Sequence, residues 1–230
     1  MTPQEISNAV ALHRRHVEGR VGGVRANLTL QSVPRVDLRG VNLRGAILAG
    51  ARFERASMAR ADLSHADLFA ADLQHADLTG ARLMRADMRG IRLTGARLTE
   101  ADLERADLRP PALVDAASRL SGDHLAADDL ERGRTLRAGL ARARLVGADL
   151  RSANLRSADA CGADLVHADL SGADLSMARL RGALLRNADL SACRVDGASF
   201  GGADRGGASV EQTDLGRADL SDAILPARLD

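Results

Sequence analysis

Residues 61–80 read ADLSHADLFAADLQHADLTG, so leucine returns at every fifth position and alanine stands two places before each leucine. The same step continues in both directions, with Phe53 and Met58 taking the leucine position. A period of five fits neither the two-residue alternation of a strand nor the 3.6-residue turn of a helix. A fixed short period is typical of a solenoid, whose units contact only their neighbours.

The repeat predicts a narrow four-sided column in which each unit forms one side. The leucine and the alanine before it would point inward, and the other three residues, one of them usually Asp or Asn, would face water. The alanine is needed because two large residues per side would overfill the interior. Successive coils would stack at about 4.8 Å. The expected core ladder includes Leu63, Leu68, Leu73, Leu78, Leu165, Leu170, Leu175 and Leu180.

The unit Ala-Asp/Asn-Leu-x-x resembles the pentapeptide-repeat family, and the resemblance covers nearly all of residues 26–225 except the middle. It implies an all-β solenoid, a right-handed quadrilateral parallel β-helix. By the same resemblance, the best-understood members mimic duplex DNA and bind bacterial type II topoisomerases, which requires a strongly acidic rod.

Breaks in the repeat divide the chain into five parts. We expect a capping helix and linker over 1–25, a first repeat block over 26–109, an insertion over 110–142, a second block over 143–225 and a tail over 226–230.

The first part has the pattern of an amphipathic helix. Thr2-Pro3-Gln4-Glu5 forms a capping box with proline at the first helical position. Ile6, Ala9, Val10, His13 and Val17 then recur at helical spacing. Because the end coil of a solenoid exposes apolar interior and unpaired strand edges, this helix is predicted to cap the column.

The middle of the chain breaks the register. Leu108 and Leu145 are 37 positions apart, which is not a multiple of five, and Pro110-Pro111 removes two backbone donors. Residues 111–120 are predicted to form a short helix with one apolar face. Two continuations are open: the coil resumes near Asp123, or a longer helical hinge runs to about Arg142.

The carboxyl-terminal end shows no comparable cap after Leu225. This bare coil suggests either pairing with a second copy of the chain or continuation into a longer protein.

One unit in this region is irregular, because Arg205 occupies a position reserved for leucine. A charge in the narrow interior would cost several kcal/mol. We therefore predict that the coil bulges and that Arg205 turns outward, whereas Ala160 at the same kind of position only underfills the core.

Composition excludes several function classes. The 230 residues carry 32 basic and 31 acidic side chains, for a net charge of +1, and every basic residue is arginine. The first block has 13 Arg against 11 acidic residues and the second 9 against 12. This balance does not favour nucleic acid as a partner.

Cys161 and Cys193 do not form a disulfide framework, and the amino-terminal sequence contains no apolar run of signal-peptide length. A soluble, cytoplasmic, bacterial protein is expected.

The pattern contains no catalytic arrangement. Residues 20 apart would stack on one face, which places His65 and His75 on opposite faces. His13 and His16 lie one turn apart on the predicted helix, but two ligands do not make a metal site. We expect no catalytic residue, no cofactor and no metal.

The surface offers one candidate site. Asp149, Asp169 and Asp189 are predicted to stack with only Arg151 beside them, and they form the candidate partner-docking stripe. The predicted function is therefore a non-enzymatic, rigid scaffold for an unknown protein partner, with a homodimer through the last coil as an added expectation. The alternative is a DNA-mimicking regulator of a type II topoisomerase, which the near-neutral charge disfavours.

Overall fold

The chain folds as a right-handed quadrilateral parallel β-helix. The computed structural model describes residues 1–111 and 138–224. Four five-residue units make one coil, so isolated parallel β-bridges join residues 20 apart, from Asn27 with Ile47 to Asp204 with Ile224. Each strand is thus a single bridging residue per side, and a turn follows it at the corner. The expected fold class is confirmed.

The interior of the column contains the repeated aliphatic side chains. All eight leucines named above as the core ladder are at most 2% exposed, and the alanines between them are equally buried. Phe53, Met58, Met88 and Phe200 take the same position as leucine in their units and are also fully buried. One large and one small side chain per unit therefore fill the column.

The ladder passes the middle of the chain without a break in the column. Arg92 pairs with Gly139, and Asp107 pairs with Asn154, each 47 residues on and so 27 more than the regular step. The coil that contains Gly139 therefore stacks directly on the coil that contains Arg92. Regular units are present from Ala138, one unit before the expected start of the second block. The predicted helix over 111–120 and the degenerate units after it lie outside the described residues.

Helix α1 spans Pro3–Val17 and caps the first coil. Its capping box is formed as predicted, since Thr2 Oγ1 accepts a hydrogen bond from the Glu5 backbone N–H and Glu5 Oε2 accepts one from the Thr2 backbone N–H. Ile6 and His13 are buried against the column, and Val10 packs beside them. The helix thus covers apolar interior that a bare end would expose.

The corners of the column depend on a residue whose backbone is in the left-handed conformation. In nearly every described unit the second residue after the inward leucine has a positive φ, for example +58° at His75 and +68° at Gly95. Glycine adopts this conformation without steric cost, which explains its frequency at this position. At Gly95 a side chain would also collide with the ring below, because its Cβ would lie 2.6 Å from His75 Nδ1.

The Asp or Asn before each leucine completes the hydrogen bonding of its unit. Its Oδ1 accepts the backbone N–H two residues on, and this N–H has no carbonyl partner in the ladder. In the unit 61–65 the donors and acceptors are Ala61 N to Met58 O, Asp62 N to Val41 O, Leu63 N to Arg82 O, Ser64 N to Asp62 Oδ1 and His65 N to Met84 O, at 2.7–3.0 Å. Asn27, Asn42 and Asn154 make the same bond. Where this position holds Asp or Asn, the side chain therefore also serves the backbone of its unit.

This role predicts a difference between two substitutions at one position. Asp169→Asn keeps the Oδ1 acceptor for the Ser171 N–H, now 2.9 Å away, and we expect its melting temperature to match that of the parent protein. Asp169→Ala leaves that donor without its acceptor and should cost about 1 kcal/mol. Thermal denaturation followed by circular dichroism measures both. Equal losses for the two variants would contradict the assigned role.

Arg205 does not turn outward, so that prediction is wrong. Its side chain is fully buried, with the guanidinium carbon 5.5 Å from the centre of the Phe200 ring. The cause is the ladder: the Arg205 N–H donates to the Ile224 carbonyl at 3.1 Å, and Asp204 bridges to both Leu184 and Ile224. A bulge would break these bonds. The unit therefore keeps its register and carries the charge inside.

The buried guanidinium is poorly compensated. Within residues 1–111 and 138–224, its Nε, Nη1 and Nη2 atoms have no hydrogen-bond partner. Burial lowers the pKa of Arg205 from its usual value. The π-face of Phe200 supplies part of the missing interaction, since a cation over an aromatic ring is attracted by the ring quadrupole. Arg205 is thus a destabilising position within an otherwise apolar column.

Candidate functional site

The acidic stripe is longer than the sequence predicted. The β-bridges stack Asp149 under Asp169 and Asp169 under Asp189, as expected, and they also place Asp102 directly below Asp149. We call these four residues the acidic stripe. Asp102 was missed because it is 47 residues from Asp149 rather than 20, and no local pattern gives the length of the insertion.

Arg151 compensates the lower half of the stripe. Its Nη2 lies 2.6 Å from Asp149 Oδ2, and its Nε lies 3.9 Å from Asp169 Oδ2. The same guanidinium lies 3.9 Å from Glu104 Oε2 on the coil below. Hydrogen bonding from Arg151 lowers the pKa of Asp149, and the carboxylate in turn raises the pKa of Arg151. One arginine is therefore shared among three carboxylates.

Serines, and not arginines, follow Asp169 and Asp189 two residues on. Asp169 and Asp189 each use Oδ1 to accept a backbone N–H, from Ser171 at 2.9 Å and from Ser191 at 2.8 Å. The side chain of Asp169 is 43% exposed. Asp189 Oδ2 is thus an acceptor for an incoming donor, and Asp169 Oδ2 is contacted only loosely by Arg151 Nε at 3.9 Å. This arrangement suits arginine or lysine side chains of a partner.

Asp149 accepts its hydrogen bonds as a carboxylate, and its pKa lies below the usual value. Every carboxyl pKa that shifts within the described residues shifts downward, at Glu5 and at several aspartates including Asp149 and Asp174. A general acid at neutral pH requires a raised pKa. Asp149 therefore remains a negatively charged acceptor at neutral pH.

The cysteines and histidines do not add a reactive centre to the described part of the chain. Cys193 fills an alanine position, and its thiol donates to the Leu170 carbonyl at 3.0 Å, while burial raises its pKa to about 12. Cys161 is half-buried, and burial also raises the pKa of its thiol. Residues 1–111 and 138–224 contain no group of three or more His, Cys, Asp or Glu side chains placed to hold a metal.

The geometry defines a class of protein: a parallel β-solenoid built from five-residue units. A profile of pentapeptide repeats, eight copies long, matches residues 37–74, 71–109, 138–176 and 163–202. These matches span more than half of the chain, and the chain belongs to the pentapeptide repeat family. No curated protein sequence matches it significantly.

Several solved structures are similar to this chain. The pentapeptide repeat protein HetL, involved in heterocyst differentiation regulation in the cyanobacterium Nostoc sp. strain PCC 7120, is 28% identical over 92% of both chains, with a TM-score of 0.40. Full-length QnrB1, a plasmid-mediated fluoroquinolone resistance protein, is 19% identical over 85% of this chain and 84% of its own, with a TM-score of 0.37. A thylakoid lumen protein of Arabidopsis thaliana is 27% identical over 60% of this chain and 70% of its own, with a TM-score of 0.19.

Across residues 1–111 and 138–224, no helix combines the length and the apolar character needed to cross a bilayer.

Proposed function

We propose that this protein is a non-enzymatic scaffold whose rigid column presents the acidic stripe to a basic segment of a protein partner. The observation that carries the proposal is the stacking of Asp102, Asp149, Asp169 and Asp189 on one face. A column held by backbone bonds on every side fixes the spacing of these carboxylates before any partner arrives. Pre-organised charges lose little entropy on binding and favour specificity and fast association.

The proposal includes the cytoplasm as the working compartment. Cys161 and Cys193 are both free thiols. Disulfides are rare in reducing compartments, and a chain with two unpaired cysteines fits that environment.

The proposal also includes pairing with a second copy through the last described coil. Its inward side chains Val210, Leu215 and Leu220 are only half-buried, unlike their counterparts along the column. An end that leaves apolar surface and strand edges unpaired is a template for association. Light scattering at increasing protein concentration measures the assembly directly, and a strict monomer would remove this part of the proposal.

Binding to a type II topoisomerase by DNA mimicry is the alternative that the family resemblance implies. Duplex DNA carries one negative charge per about 1.7 Å of its axis. Here the first block has a net charge of +2 and the second of −3. Neither approaches that density, and the acidic stripe occupies one face only. We therefore prefer the scaffold and retain a gyrase supercoiling assay as the test of the alternative.

The experiment that tests the scaffold uses substitutions that keep the fold. Asp149→Asn, Asp169→Asn and Asp189→Asn together remove three charges while retaining each Oδ1 acceptor. A matched control carries Asp37→Asn, Asp77→Asn and Asp164→Asn on a different side of the column. We expect the purified protein to capture a partner from native cell extract, and capture to fall at least tenfold for the stripe variant and not for the control.

Two results would contradict the proposal. Equal capture by the stripe variant and the control would show that the acidic stripe is not the docking surface. Inhibition of gyrase supercoiling by the parent protein at stoichiometric concentration would favour the topoisomerase alternative. Circular dichroism of both triple variants verifies that each retains the column.

A further inference from the structure

His13 joins the capping helix to the first coil through a single acceptor atom. The ring is fully buried, and its Nδ1 accepts a hydrogen bond from the Ala26 backbone N–H at 3.1 Å. Ala26 is the first residue of the column, and in later units the corresponding alanine N–H donates to a leucine carbonyl. The histidine thus replaces the missing carbonyl at the point where the repeat begins.

This bond requires a neutral ring with its proton on Nε2. A protonated imidazole is a donor at both nitrogens, so it has no lone pair to offer the Ala26 N–H. Two N–H groups would then face each other in a buried contact. Protonation therefore converts the contact that holds the helix into a repulsive one.

The surroundings oppose a charge on this ring. His16 lies one turn along the same helix, with the ring centroids 5.9 Å apart. Arg25, on the segment that leads into the column, adds a second positive group, while the backbone carbonyl of Arg44 on the first coil favours the charge. Burial is the largest effect, and together these groups lower the pKa of His13 from its usual 6.5.

We propose that His13 is an acid-sensitive latch: its protonation releases helix α1 and opens the amino-terminal end of the column. A ring whose pKa is lowered on docking binds its proton more readily when the helix is released. Docking is therefore unaffected well above pH 6.5. It weakens by up to about tenfold per pH unit as the pH falls from 6.5 towards the pKa of the docked ring, and it changes no further below that value.

Amide hydrogen exchange of residues 3–17 tests the latch in the full chain between pH 7.5 and pH 5.0, after correction for intrinsic exchange rates. We expect protection of the helix to fall at least tenfold over this range, while protection of the core units stays constant. Asparagine carries Oδ1 at the same branch position as Nδ1 and does not titrate. His13→Asn should therefore keep the helix protected at both pH values. The exposed His75→Gln serves as the control and should behave like the parent.

Two outcomes would overturn the proposal: helix protection in the parent that does not depend on pH, or equal pH dependence in His13→Asn. If His13→Asn leaves the helix unprotected at pH 7.5, an NMR titration of the parent protein tests the latch instead. A single transition shared by the His13 ring and the α1 amide resonances supports the latch. Titration of the ring without any change in the helix refutes it.

Discussion

Arg205→Leu is expected to raise the stability of the protein by about 1–4 kcal/mol, because the apolar side chain that the repeat normally carries here replaces a buried, poorly compensated charge. The position belongs to leucine in the repeat, and Leu185 on the coil below fills it without exposure. The backbone needs no rearrangement, since the ladder already runs through Arg205. Thermal and urea denaturation, compared as shifts in midpoint, measure the gain.

A matched control separates burial of charge from loss of charge. Arg156→Leu removes an exposed arginine from the outside of the same block, and we expect a change within about 0.5 kcal/mol. If Arg205→Leu were neutral or destabilising while Arg156→Leu behaved as expected, the guanidinium would have a compensating partner that residues 1–111 and 138–224 do not supply.

Leu78→Ala should destabilise the column by about 2–5 kcal/mol, since it leaves a cavity in a core that has one large side chain per unit. The side chain is fully buried, with Met58 below it and Leu98 above it in the same position of their units. Neighbouring coils cannot collapse into the gap without breaking the bonds that set their spacing. Urea denaturation followed by circular dichroism gives the size of the loss.

Leu78→Met is the appropriate comparison for this substitution. Met58 and Met88 already occupy the position, so methionine fits the column and should cost less than about 1.5 kcal/mol. Similar losses for Leu78→Ala and Leu78→Met would mean that side-chain volume at this position does not support the column.

The sequence predicted the column well because a single rule repeats in nearly every unit. Leu63 and its counterparts lie inside, Cys193 fills an alanine position, and helix α1 begins at the predicted capping box. Each of these follows from local spacing or local chemistry. The sequence predicts the structure well where many neighbouring units carry the same residue pattern.

Sequence reasoning failed in two situations. In one, two energetic terms oppose each other at the same residue, and in the other, the contact depends on residues far apart in the sequence. At Arg205, the cost of burying a charge favours an outward side chain, but a bulge would break the backbone hydrogen bonds of the ladder, and the ladder prevails. Asp102 joins the acidic stripe only through a step of 47 residues, which no five-residue pattern reveals. The aspartates looked like surface charge, whereas their Oδ1 atoms complete the backbone bonding. The hydrogen bond between His13 and Ala26 could not be predicted, because it depends on the angle at which helix α1 packs on the first coil.

The direct pairing of Arg92 with Gly139 has a consequence for the evolution of such rods. The bridges between these two coils, and not the number of residues between Pro111 and Ala138, set the facing of every later side. We expect this junction to accept segments of different length, because the bridged coils on either side do not depend on them. Such exchanges would diversify the protein at this junction while the described column keeps its shape.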